Sequence, residues 1–194
     1  KIQLVLVALI VLILSAFKAD HVITIYMIGD STMSNKPLEG NNQERGWGHV
    51  LGSFFTEDVR VENHAMNGRS SKSFIDEGRW ETVVNKIRPG DYVFIQFGHN
   101  DEKPQPERHT DPGTTFDENL RKFVRETRAK GGIPVLFNSI VRRNFGVNPD
   151  AVAADDIRPE KDEAVVEGDT LIDTHGKYLE SPRNVAKGNG CLLY

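Results

Sequence analysis

Three short polar turns each close an apolar run, and each carries a residue suited to acyl chemistry: Ser31 after residues 22–28, Gly68 after residues 59–65, and Asn100 after residues 92–97. A serine hydroxyl can attack an acyl carbon, and the oxygen that then becomes negative has to be met by donors. A glycine lets a backbone N–H approach with no side chain in the way. An asparagine amide donates without bringing a counter-charge. Taken alone, the Ser31 turn reads first as an ordinary strand-to-helix connection with Ser31 or Thr32 as the helix cap. The case for chemistry rests on the three turns meeting.

The elements around them allow that meeting. Residues 22–28 are rich in β-branched and aromatic side chains and too few for a globular helix, which suits a buried strand of a parallel sheet. Residues 59–65, 92–97 and 133–138 read as three further strands. Between them, helices are expected over 46–55, with Trp47, Val50, Leu51, Phe54 and Phe55 at helical spacing, over 74–87, closed by Pro89 and Gly90, and from Asp117 to the glycine pair Gly131 and Gly132. A further short helix starts at Ser181 and Pro182. Residues 148–169 are polar and carboxylate-rich and are taken as an excursion over the top of the sheet or a partly mobile loop, not a second domain. Alternating strands and helices predict an α/β fold, a parallel sheet covered on both faces, and in such sheets the loops beyond the strand carboxyl ends form the crevice for ligands.

Composition narrows the function. With 194 residues and 38% apolar content, the chain is long enough for one domain with a real core. A net charge of -4 and the lack of a basic stripe exclude a nucleic-acid partner. The single cysteine, Cys191, cannot form an internal disulfide. Lys1 followed by a nearly uncharged run over 4–14 and small residues near Ala16 and Ala19 predicts a signal peptide over 1–19, hence a secreted or periplasmic protein with no membrane partner once the leader is removed. The domain is then expected over 20–194.

The blocks Gly29-Asp30-Ser31-Thr32, Asn63-x-Ala65-x-x-Gly68-Arg69-Ser70 and Gln96-Phe97-Gly98-His99-Asn100-Asp101 resemble the first three blocks of the SGNH/GDSL hydrolases, and Asp173-Thr174-His175-Gly176 points to the rhamnogalacturonan acetylesterase branch. The resemblance covers about residues 22–187. It implies a three-layer α/β/α sandwich with a flavodoxin-like sheet that deacetylates plant cell-wall polysaccharide with no metal or other cofactor. It makes Ser31 the nucleophile and gives the oxyanion hole to the N–H groups of Ser31 and Gly68 and the side chain of Asn100. Asp30 and Asp101 would tie the turns through backbone amides. Arg69 either reaches the carboxylate of an acidic sugar or forms a surface salt bridge.

The family's fourth block, an Asp-x-x-His that supplies the base, has no counterpart in this sequence. Residues 188–194 depart from the pattern, so the chain is expected to lack the last strand and catalytic loop, to leave the fourth strand as an uncovered edge, and to be nearly inactive. His175, with Asp173 two residues before it, and His99 are the substitutes for the base. The alternative function is a sugar-binding remnant that no longer turns over.

Overall fold

The computed structural model describes residues 22–142, 145–146, 170–171 and 174–194. The expected leader, the excursion over 148–169, His21 and Asp173 lie outside the described residues. In chain order the elements are β1 (Ile23–Gly29), α1 (Gly48–Leu51) running into a 3-10 turn (Gly52–Phe54), β2 (Val59–Asn63), α2 (Ser71–Asp76), α3 (Arg79–Val84), β3 (Tyr92–Gln96), α4 (Thr115–Ala129), β4 (Ile133–Phe137), β5 (Phe145–Gly146), β6 (Thr170–Leu171), a 3-10 turn (Gly176–Leu179), α5 (Glu180–Asn189) and β7 (Leu192–Leu193).

The main sheet has the order β2-β1-β3-β4-β7 and is parallel at every pairing. Strand β1 sits between β2 and β3, with Met27 opposite Asn63 and Gly29 opposite Gln96. All strand carboxyl ends therefore share one edge, and the turns bearing Ser31, Gly68 and Asn100 leave from three adjacent strands. β5 and β6 pair separately as an antiparallel ribbon.

Alternation along β1 divides the core. Tyr26 and Ile28 point to one face with Val93, Ile95 and Leu136, where Phe74, Trp80, Val83, Phe116, Leu120, Phe123 and Val185 cover them. Ile25 and Met27 point to the other, against Met33 and Ala65 and the flanking Trp47, Leu51, Val61 and Phe94. Helix α4 supplies the broadest cover on the first face, its Phe116, Leu120, Phe123, Val124 and Thr127 buried at spacings of three and four.

Three expectations change. The helix over 46–55 is only one α turn and a 3-10 turn, and Phe54 is 78% exposed. Its glycines serve close approach: a Cβ on Gly48 would lie 2.6 Å from the Met33 carbonyl oxygen. The helix over 74–87 is two, α2 and α3, broken at Gly78 with φ +69. The capping box at Ser70 and Ser73 starts the first earlier than apolar spacing suggests. Finally, β4 is not an uncovered edge, because Leu192 and Leu193 pair with Val135 and Leu136. Gly190, at φ +58, ends α5 in the left-handed region and turns the chain back to the sheet, where Leu193 packs on the core.

Candidate active site

The turn after β1 is built around Asp30, which is 1% exposed. Its carboxylate accepts from the Thr32 N–H at 2.9 Å and the Thr32 hydroxyl at 2.8 Å, and its carbonyl accepts from the Ser34 N–H at 3.1 Å. With Asp30 holding the turn from within, Ser31 is left half-buried at the surface of the crevice. Neither its N–H nor its hydroxyl has a hydrogen-bond partner among the described residues.

The turn after β2 is fastened to β1 by the Met66 N–H donating to Gly29 at 2.9 Å. It closes with the Arg69 N–H donating to the Met66 carbonyl at 3.3 Å, which makes Asn67 and Gly68 the central pair of a four-residue turn. Gly68 has φ +75, and a Cβ there would meet nothing within 4 Å. Glycine is demanded by the backbone, not by crowding. The Gly68 N–H also has no partner among the described residues.

The turn after β3 is anchored by Asp101, which is fully buried and accepts from the N–H of Ser71 at 3.0 Å, the N–H of Gly98 at 3.1 Å and the hydroxyl of Thr110 at 2.9 Å. Burial pushes its carboxyl up to about 7, opposed by the hydrogen bonds from Ser71 and Thr110. Asn100, 4% exposed, uses one amide N–H on the Arg69 carbonyl at 3.2 Å and keeps the other. The Ser31, Gly68 and Asn100 turns are thus cross-linked at the strand ends, and three N–H donors there have no acceptor among the described residues. Such donors cost stability where they are buried and are what a developing oxyanion requires.

Arg69 is engaged as the surface pair. Its Nε contacts both Glu77 carboxylate oxygens, at 3.0 and 3.2 Å, and its Nη1 donates to the Asn67 carbonyl at 3.0 Å. It also lines an open cleft of about 380 Å³ beside Gly68, with Ser73, Asp76, Glu107 and Arg108 in the wall.

His99 and His175 form a polar cluster at the turn after β3. His175, 3% exposed, sets Nδ1 2.9 Å from Glu102 and Nε2 3.0 Å from the Ile140 carbonyl. Both contacts are to acceptors, so both ring nitrogens carry protons and His175 is an imidazolium. Burial works against that charge, but Glu102 outweighs it through hydrogen bond and charge and holds His175 above the ordinary imidazole value. Glu102 is held below the usual carboxylate value in turn: burial would raise it, and the bonds and charges of His175 and Arg142 prevail. A ring with two engaged nitrogens has no lone pair to take a proton from Ser31. The His99 ring lies tilted against that of His175 with ring centres 4.5 Å apart and donates its Nε2–H to the same Ile140 carbonyl at 2.7 Å. Burial is the main cause that keeps His99 below the ordinary value, so it is neutral with Nδ1 as its acceptor. Among the described residues no group of three or more His, Cys, Asp or Glu side chains is arranged to hold a metal ion.

Several supporting residues were not singled out by spacing. Gln96 accepts from Trp47 Nε1 at 2.8 Å and donates to the Asn138 carbonyl at 2.9 Å, joining the turns after β1, β3 and β4. Its signal was a polar side chain ending an apolar strand. Asn67, Glu102 and Arg142 sit in polar turns where nothing in the sequence distinguishes them from solvated neighbours.

The chain is similar to several known proteins. The chain is 44% identical over 126 residues to the rhamnogalacturonan acetylesterase RhgT of Bacillus subtilis, an overlap of 65% of this chain and 53% of that protein. It is 40% identical over 128 residues to the probable rhamnogalacturonan acetylesterase YesY of the same organism, covering 66% and 57%. The chain thus spans about half the length of the curated relatives it matches. The crystal structure of the Bacillus subtilis protein YxiM superposes with a TM-score of 0.66 at 26% identity, over 89% of this chain and 43% of that one. Residues 27–187, from the middle of β1 to within α5, match the model of the GDSL-like Lipase/Acylhydrolase family, and this chain belongs to that family.

Proposed function

We propose that the chain carries the nucleophile and oxyanion hole of a serine esterase that removes acetyl groups from a plant cell-wall polysaccharide of the rhamnogalacturonan class. The observation that carries this reading is that the N–H groups of Ser31 and Gly68, one Asn100 amide N–H and the Ser31 hydroxyl, on the turns after three adjacent strands, are all unengaged among the described residues. The names of the relatives support the substrate class. In the reaction Ser31 Oγ bonds to the acetyl carbon and the carbonyl electrons move to oxygen, where the three donors meet them. The carbonyl re-forms as the acyl bond to the sugar oxygen breaks, the sugar alcohol leaves with the proton that Ser31 loses, and water then releases acetate from acetyl-Ser31 and restores its hydroxyl. The cleft beside Gly68, lined by Arg69 and Arg108 together with Asp76, Glu77 and Glu107, receives the sugar next to the acetylated one. The apolar run near the amino terminus is proposed to direct secretion.

No base contacts Ser31 among the described residues, so Ser31 is expected to attack unassisted and the chain to turn over slowly. Hydrolysis of an aryl acetate, compared with Ser31→Ala, tests both parts. A slow rate that Ser31→Ala removes is the expected result. A fast rate removed by Ser31→Ala would overturn the slow turnover and pass the base to His99. A rate that Ser31→Ala leaves intact would overturn the nucleophile. The unengaged hydroxyl also fits a second reading, a sugar-binding module, which predicts tight binding of acetylated pectin fragments by Ser31→Ala with no turnover by either protein.

A further inference from the structure

The Gly68 N–H belongs to the central peptide of the turn from Met66 to Arg69, and that peptide has two accessible orientations. Type I and type II turns differ by a flip of this one unit, and glycine in the third position tolerates both. A flip would turn the Gly68 N–H from one side of the turn to the other without moving the strands. Something has to hold it.

Asn67, the other half of that peptide, is gripped through both of its oxygens although its residue is exposed. Its backbone carbonyl, the opposite end of the same peptide plane, accepts from Arg69 Nη1 at 3.0 Å. Arg69 is itself held by Glu77, which Arg79 contacts at 2.5 Å. The Asn67 side-chain Oδ1 accepts from the Ser34 hydroxyl at 2.5 Å and the Lys36 ammonium at 2.7 Å. Ser34 lies on the Ser31 turn, with its hydroxyl 3.4 Å from the Ser31 carbonyl. The Lys36 side chain is only 6% exposed, and its nearest carboxylate, that of the exposed Glu44, is 3.7 Å away. Burying an ammonium is costly, and here its shortest contact is the Asn67 amide oxygen, a charge-assisted bond stronger than a neutral one.

We propose that Asn67 is the positioning residue that fixes the direction of the Gly68 N–H, by locking the turn after β2 to the turn that carries Ser31. The inference rests on Gly68 being an oxyanion donor. Asn67 does not touch substrate; it determines whether the donor faces the place where the oxyanion forms. Without it the turn samples both orientations and the N–H is presented for only part of the time.

The test pairs amide-resolved NMR of Gly68 with the Ser31-dependent rate of aryl acetate hydrolysis. In Asn67→Ala the Gly68 resonance is expected to broaden or double, and the rate to fall about tenfold in kcat with KM within about twofold. Asn67→Asp keeps the acceptor oxygen, so a single resonance and a rate within about threefold of the parent are expected. Glu77→Gln, a change on the half-exposed partner of Arg69, gives the same resonance change to a smaller degree and stands in should Asn67→Ala fail to fold. A single, unshifted Gly68 resonance in Asn67→Ala, or in Glu77→Gln where that variant stands in, overturns the proposal. If Ser31→Ala leaves hydrolysis intact, the nucleophile reading fails, and the Gly68 resonance alone still decides the role of Asn67.

Discussion

Gly68 and Gly98 both lie at positive φ, but a methyl group would test them differently. At Gly68, φ +75, the added Cβ enters open space, so Gly68→Ala pays only for left-handed backbone, about 1–2 kcal/mol. At Gly98, φ +141, the Cβ also meets the Ser139 hydroxyl, which donates to the Phe97 carbonyl at 2.9 Å. Chemical denaturation is expected to show Gly98→Ala losing more stability than Gly68→Ala; the reverse order would place crowding, not backbone, at Gly68. Asn100→Ala removes one donor and is expected to lower the Ser31-dependent rate of hydrolysis by about 100 to 1,000-fold. These residues were legible in sequence because each follows an apolar strand, where a polar or glycine turn stands out. Asn67 was not, because a polar residue in a polar turn acquires its role only when Lys36 and Ser34 fold beside it.

At the scale of elements, the pair of His175 and Glu102 ties the 3-10 turn before α5 to the turn after β3. His175 is raised above its ordinary value of 6.5, so the stability it contributes is full below 6.5 and is lost as pH rises through the folded value. Glu102 is lowered below 4.5, so its share is full above 4.5 and is lost as pH falls through its own folded value. Thermal melts across pH are therefore expected to show His175→Gln losing most stability relative to the parent between 4.5 and 6.5, with the gap narrowing in alkali. A gap that widens with rising pH would mean the ring is buried neutral. The helices themselves were only partly legible. Apolar spacing found the face of α4, yet it merged α2 and α3 across Gly78, whose φ of +69 is a tertiary choice that a helical pattern conceals. It also lengthened α1, since Phe54 keeps the spacing of a buried residue while standing in solvent.

For the whole molecule, strand alternation with helices was enough to give a parallel sheet, and the order β2-β1-β3-β4-β7 bears that out. The β4 edge was misread because two residues, Leu192 and Leu193, are too short a strand to show in any pattern. Their pairing depends on the reversal at Gly190. Removing residues 191–194 is expected to uncover β4, with a loss of thermal stability and increased association on sizing columns. The site and the sheet come together in one claim, that Ser31 attacks an acyl carbon while three donors on adjacent strand ends hold the oxyanion. The most direct measurement is mass spectrometry of peptides after prolonged incubation with an aryl acetate. One acetyl group on the peptide containing Ser31, absent from Ser31→Ala and formed about 100-fold more slowly by Asn100→Ala, is the expected result. Acetylation confined to other residues, or undiminished in Ser31→Ala, would contradict it.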